Sequence, residues 1–246
     1  MSLSKEFKTQ GETLFRYRGY IPIIVLLAAL VLHLYQLRNN ITPDLVYNFS
    51  YQLFCLAVSI LGLIIRICTL GFAKRNTSGR NTTKQIADSL NTSGMYSILR
   101  HPLYLGNFLM WLGVGLLIAD CWFILFFILL FWIYYERIMY IEESFLIEKF
   151  GNEYTDWSSR VPAFIPHLSK WKSPKLSFNS KKVIRQEKSG IAALFIVFMV
   201  FHQVRYLFIE NVPDLSFSFW NTACLVSVIY LLIVKIIQKK TSLLKG

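Results

Sequence analysis

The sequence is poor in charge, and poorest in acid. Charged side chains make up 16% of its 246 residues, and only 14 are Asp or Glu; soluble domains carry about 25% charged residues. Hydrophobic residues account for 54%, aromatics for 16%, and mean hydropathy is +0.45. Too little polar surface is left to cover a globule, which excludes an ordinary soluble enzyme and a disordered chain; the apolar excess needs a bilayer. Cysteine is scarce as well. Cys55, Cys68, Cys121 and Cys224 form no CxxC pair, which excludes a disulfide scaffold and leaves them as small apolar residues in or beside spans. The four histidines are equally dispersed, so no metal site is expected, and the chain contains no internal repeat.

Long apolar runs are what the chain does have. Six of them, at 20–37, 46–72, 102–119, 121–141, 191–209 and 217–237, are long enough or nearly so to cross ~30 Å of hydrocarbon as helices of ~20 residues. They are continuous rather than alternating, unlike the strands of a membrane barrel. The expected fold class is all-α: a polytopic membrane helical bundle of about six transmembrane helices plus a short interfacial amphipathic helix. Only Asp120 separates the third and fourth spans, which predicts a tight helical hairpin. The first run lacks a small-residue cleavage site and reads as a span rather than a signal peptide.

The formal net charge of +12 could mark a nucleic-acid partner or one face of a membrane. Position decides. With six spans, 24 of the 26 Lys and Arg residues fall on the side of the termini, leaving only Arg38 and Arg205 near the other. The positive-inside rule then puts both termini and the two large loops in the cytoplasm, at the inner membrane if the source is bacterial. The charge is a topology signal, and no nucleic-acid partner is expected. On that side the N-x-S/T triplets at Asn76, Asn81 and Asn91 are accidental.

Polar residues that could do chemistry concentrate around the third and fourth spans. Residues 91–106 read NTSGMYSILRHPLYLG. Pro102 suits the first turn of a helix and pushes His101 towards an extended conformation. Arg100 and His101 would then stand at the membrane edge beside free backbone N–H groups, a geometry that holds a carboxylate or phosphate. The plainer reading is that Arg100 snorkels and Tyr96 and Tyr104 belong to an aromatic belt. Gly106, Gly113 and Gly115 follow on the same helix; they permit close helix packing or leave room for a flat ligand. The fourth span ends in Glu142-Glu143, two carboxylates whose proximity to the bilayer suggests a bound cation or polar ligand, with a solvated helix end as the alternative reading. That helix can continue to Phe150, with Gly151 as its αL cap. Beyond it, Tyr154, Trp157 and Val161 recur at helical spacing, as in a short interfacial helix. Arg160 stands before Val161-Pro162, where its guanidinium could bind an anionic head group bidentately.

Taken together, Arg100-His101-Pro102-x-Tyr104-x-Gly106, Glu142-Glu143-x-x-Leu146, and Phe150-Gly151 with Tyr154, Arg160-Val161-Pro162 and Ile165-Pro166 resemble the isoprenylcysteine carboxyl methyltransferase and phospholipid methyltransferase superfamily. Each block is weak alone, but their combination around a helical hairpin is specific. The Gly113-x-Gly115 pair is similar to the glycine motif of phosphatidylethanolamine methyltransferases. The resemblance implies a methyltransferase core at 91–168, preceded by a two-span region at 1–90. A basic cytoplasmic linker at 169–189 and a two-span extension at 190–246 would follow, the extension offering a possible homo-oligomer contact. It implies S-adenosylmethionine as cofactor, bound by Tyr96, Arg100, His101, Tyr104, Gly106, Glu142 and Glu143. Arg160 and Glu143 would be the catalytic residues, and Arg160, Tyr154 and Trp157 would bind the acceptor. Glu143 is the candidate general base if the acceptor is an amine. The acceptor would be a membrane lipid or lipidated molecule, with a slight preference for an anionic or phosphorylated head group such as a lipid A phosphate. A prenylcysteine carboxylate and an aminophospholipid are the alternatives. Two other readings compete. Steroid 5α-reductase-type enzymes use a similar His-Pro-x-Tyr-x-Gly block with a nicotinamide cofactor, although an acid commonly follows the glycine there and Asn107 does here. A scaffold or transporter would instead use Arg66, His33, His202 and Arg205, whose default role near span ends is snorkelling or helix pairing.

Overall fold

The computed structural model describes residues 2–74, 77, 85–241 and 243–244. Asn76 and Asn81 lie outside the described residues, as do Arg75, Arg80, Lys84 and Lys245 of the charge assignment. Among the described residues eight α-helices follow in order: α1 Leu3–Arg16, α2 Ile21–Arg38, α3 Phe49–Phe72, α4 Pro102–Leu116, α5 Cys121–Phe150, α6 Asn152–Ser158, α7 Ser180–Glu210 and α8 Phe219–Lys240. No strand occurs among the described residues. Helices α2, α3, α5, α7 and α8 are long and apolar enough to cross a membrane, so the chain is a polytopic helical membrane bundle. The sixth expected span is shorter than the sequence suggests. Helix α4 has 15 residues and extends ~22 Å at 1.5 Å per residue.

The hairpin between α4 and α5 forms as expected. The turn passes through Ala119 at φ +52°, and the Asp120 carboxylate accepts from the Phe123 N–H at 2.8 Å to cap α5. Similar side-chain caps open α3 at Asn48 and α7 at Asn179. Glycine makes the α3–α4 crossing possible. A Cβ at Gly62 would stand 2.4 Å from the Gly106 carbonyl oxygen, and one at Gly113 would stand 2.1 Å from Ser59 Oγ. Close backbone approach of this kind stabilises helix pairs where no water drives them together.

Three features depart from the sequence expectation. Helix α1 runs along the second half of α5, with Phe7 edge-on to Tyr140 and Gly11 set against the Arg137 carbonyl. Helix α5 continues to Phe150 and stops at Gly151, as expected, but Gly151 takes φ +51° and ψ −125°, a chain reversal open to glycine rather than an αL cap. Helix α7 begins at Ser180, so the second half of the basic stretch 169–189 is helix. It is fastened to the end of α3 by the Asn179 N–H on the Gly71 carbonyl at 2.9 Å and by Lys182 Nζ on the Ala73 carbonyl at 2.9 Å. Helix α7 also packs on α2 and α4 as well as α8. The C-terminal pair is therefore built into the bundle through α7.

Candidate active site

The end of α3, the start of α4, the second half of α5 and the start of α7 meet at one end of the bundle around a cavity of about 460 Å³. Pro102 opens α4, and the preceding residue His101 takes φ −120° and ψ 59°. The backbone N–H groups of Arg100 and His101 themselves are both taken. They donate to the carbonyls of Pro162 at 2.9 Å and Ala163 at 3.2 Å, and the His167 N–H donates to the Ile98 carbonyl at 2.9 Å. The VPAFIP segment is thus a strap that holds the Arg100-His101 corner.

The adjacent acids point to different partners, because successive residues on a helix diverge by about 100°. Glu142 faces the cavity: its Oε1 accepts from the Tyr104 hydroxyl at 2.6 Å and lies 3.7 Å from Arg18 Nη1. Glu143 stands behind the cavity wall. Its carboxylate lies 2.8 Å from His101 Nε2 and 3.3 Å from Arg100 Nη1. The like-charge repulsion expected of the pair is offset by the Arg18 and Arg100 guanidinium groups. The His101 ring stacks on Tyr104, and Tyr104 packs on Tyr135 with centroids 4.5 Å apart. Tyr96 lines the cavity and is raised in pKa by burial and by Glu142; burial and Glu143 raise Tyr154 in the same direction. Both phenols stay protonated and act as neutral groups near the acids.

Of the sequence-predicted site residues, Tyr96, Arg100, His101, Tyr104, Glu142 and Trp157 line the cavity. Tyr154 and Trp157 are inward rather than facing lipid, and Tyr154 packs with Leu90 and Val161 in a small core beneath the site. Gly106 is not among the lining residues: an added Cβ would meet Arg66 Cγ at 2.5 Å and the Gly62 carbonyl oxygen at 2.8 Å, so its lack of a side chain serves packing on α3. Glu143, held between His101 and Arg100, is not itself among the residues that line the cavity. Arg160 is exposed at the end of α6. Its Nε donates to the Asp156 carbonyl at 2.9 Å, and its side chain is not among those lining the cavity.

Four cavity residues escape the local motifs. Arg18 comes from the turn between α1 and α2, Asn107 and Tyr135 from α4 and α5, and Glu187 from α7. Of the two default roles expected for Arg66, the structure shows helix pairing rather than snorkelling: Arg66 of α3 pairs with Glu187 of α7, whose side chain is 1% exposed. Intramembrane arginines usually have such a partner, so Arg66 was the signal that an acid had to be found. Nothing local identified that acid as Glu187.

Apolar helices packed around a cavity of carboxylate, cations, phenols and an indole define an integral membrane protein with a polar cavity at one end of its bundle. Residues 52–153 match the family model described as phospholipid methyltransferase. The chain is similar to protein-S-isoprenylcysteine O-methyltransferase of Schizosaccharomyces pombe, 31% identical over 50% of this chain and 54% of that protein. It is similar to the Saccharomyces cerevisiae protein of the same name, 33% identical over 51% and 56%. It is also similar to the cobalt-zinc-cadmium resistance protein CzcN of Cupriavidus metallidurans, 38% identical over 33% and 38%. No solved structure matches. These matches make the chain similar, over part of its length, to the isoprenylcysteine carboxyl methyltransferase and phospholipid methyltransferase superfamily. It matches about half the length of the two yeast relatives.

Proposed function

We propose that the chain transfers a methyl group from S-adenosylmethionine to a membrane-embedded lipidated acceptor, with a prenylcysteine carboxylate as the favoured class. The observation that carries this reading is the Tyr104–Glu142 hydrogen bond beside the His101–Glu143 pair, which turns two separate sequence blocks into one wall of a cavity. The cavity suits the cofactor chemically. Its volume lies in the ~300–1,000 Å³ range of small-molecule sites. Glu142 offers a carboxylate to a cationic group or a hydroxyl, Arg18 and Arg100 offer charge to a carboxylate, and Tyr96 and Trp157 offer rings to a base. Trp157 Nε1 is buried without an acceptor among the described residues, a donor that a bound ligand would satisfy. When bound, the cofactor supplies an electrophilic methyl on a sulfonium. The protein's work is to hold the acceptor oxygen and the methyl in line and to exclude water. An ionised carboxylate acceptor needs no general base, in agreement with Glu143 standing outside the cavity.

The relatives' names shift the preferred acceptor away from a lipid A phosphate and towards a prenylcysteine; the name of the metal-resistance relative states a resistance rather than a reaction. The basic residues of the termini and loops support a cytoplasmic site. Helix α8 turns Leu225, Ile229, Leu232 and Ile236 outward, a face for lipid or for a second copy in a homo-oligomer. Titration with S-adenosylmethionine in the presence of excess NADPH tests the reading. Binding undiminished by NADPH supports it, and binding of NADPH in its place supports a reductase.

A further inference from the structure

Arg66 and Glu187 belong to none of the sequence blocks of the family, and Glu187 lies beyond the matched residues 52–153. Both nevertheless line the cavity. Arg66 Nε and Nη2 donate to the two carboxylate oxygens of Glu187 at 3.0 and 2.6 Å. Its Nη1 donates to Asn107 Oδ1. The Asn107 amide donates in turn to the Tyr135 hydroxyl at 3.0 Å. The Tyr135 ring lies against Tyr104, and Tyr104 donates to Glu142. A bidentate pair fixes the plane of the guanidinium. Once that plane is fixed, Nη1 dictates which end of the Asn107 amide faces Tyr135. A buried pair of this kind is poor evidence for stability, because desolvation offsets its attraction. What it supplies is orientation.

We propose that Arg66 and Glu187 are positioning residues that set the Tyr135–Tyr104–Glu142 wall, which makes the first turns of α7 a working part of the site. The inference rests on the methyltransferase reading, since cofactor affinity is its readout. The test uses the full chain in detergent, with S-adenosylmethionine as the titrated probe and the thermal midpoint measured alongside. Glu187→Gln weakens binding about tenfold. Lys182→Met removes a neighbouring anchor of α7 to α3 that lies away from the cavity, and it leaves affinity unchanged even where it lowers the midpoint. The double variant Arg66→Gln, Glu187→Gln buries no lone charge and so keeps the fold; its affinity stays as low as that of Glu187→Gln. Wild-type affinity in the double variant, or affinity losses that follow the midpoint equally in Glu187→Gln and Lys182→Met, overturns the inference. A wild-type chain that binds no S-adenosylmethionine contradicts the methyltransferase reading instead.

Discussion

The two ends of the bundle use the same residue types and do different things with them. At the end opposite the cavity, His202 Nε2 meets the Asp214 carboxylate at 2.8 Å, and that carboxylate also accepts from the Ser216 hydroxyl and N–H. Gln203 donates to the Asp214 carbonyl and to Asn221, and Trp220 Nε1 donates to Gln52 at 2.8 Å. Arg205 Nη1 donates to the Val46 carbonyl at 2.7 Å. These groups close on one another and fasten the turn between α7 and α8. At the cavity end, Glu142, Tyr104, His101 and Arg100 also pair, but around about 460 Å³ of open space. Polar residues in a membrane protein are functional by default. Here the useful distinction is whether their network is filled by its own members or left with room for a ligand.

The largest expected effect is at the open end. Glu142→Gln should weaken S-adenosylmethionine binding by about 10- to 100-fold, the worth of a charge-assisted hydrogen bond, with little change in thermal midpoint. A calorimetric titration and a melting curve check both halves. His101→Ala should act in the same direction by loosening the Glu143 pair. The closed end should give the reverse. Asp214→Asn should cost about 1–2 kcal/mol of stability through its lost hydrogen bonds, read as a lowered melting midpoint, and leave cofactor affinity alone. A change in affinity there would erase the contrast between the ends.

A pH experiment sharpens the same contrast. The hydrogen bonds from His202 and Ser216 hold the Asp214 carboxyl well below its ordinary value. The contribution is therefore present in full above about pH 4 and is lost as pH falls towards the lowered value. Stability of the native chain should decline on that acid limb, and Asp214→Asn should flatten the decline. A limb of equal slope in the variant would show that other carboxylates set it. The smallest effect belongs to Arg160. Exposed and outside the cavity lining, Arg160→Ala should change acceptor KM by no more than about threefold, below the roughly 1.4 kcal/mol that a tenfold change represents. A larger change would bring Arg160 back as the acceptor's anchor.

Much of this arrangement is legible in the sequence because its signals are local. Pro102 marks the start of α4, Asp120 marks the hairpin and Gly151 marks the end of α5, each through backbone geometry confined to a few residues. The family blocks likewise name Tyr104 and Glu142 before their hydroxyl and carboxylate are seen to meet. What is not legible depends on distance along the chain. Arg66 and Glu187 are separated by 121 positions, and no helical or turn periodicity connects them. Arg18 reaches the cavity only because α1 folds back along α5, which Phe7, Gly11, Leu14 and Phe15 at helical spacing could have announced. The apparent linker before α7 hid its helix behind lysines, since a charge run reads as solvent even where its stems lie on apolar surface.

Methyl transfer itself tests the account most directly. The purified chain, incubated with S-adenosylmethionine labelled on the methyl and with N-acetyl-S-farnesylcysteine, should place base-labile label on the carboxyl group. Glu142→Gln should lose that label at the same cofactor concentration. Label that appears only on lipids without a free carboxylate would contradict the acceptor assignment, and a wild-type chain that neither binds the cofactor nor transfers label would contradict the central claim.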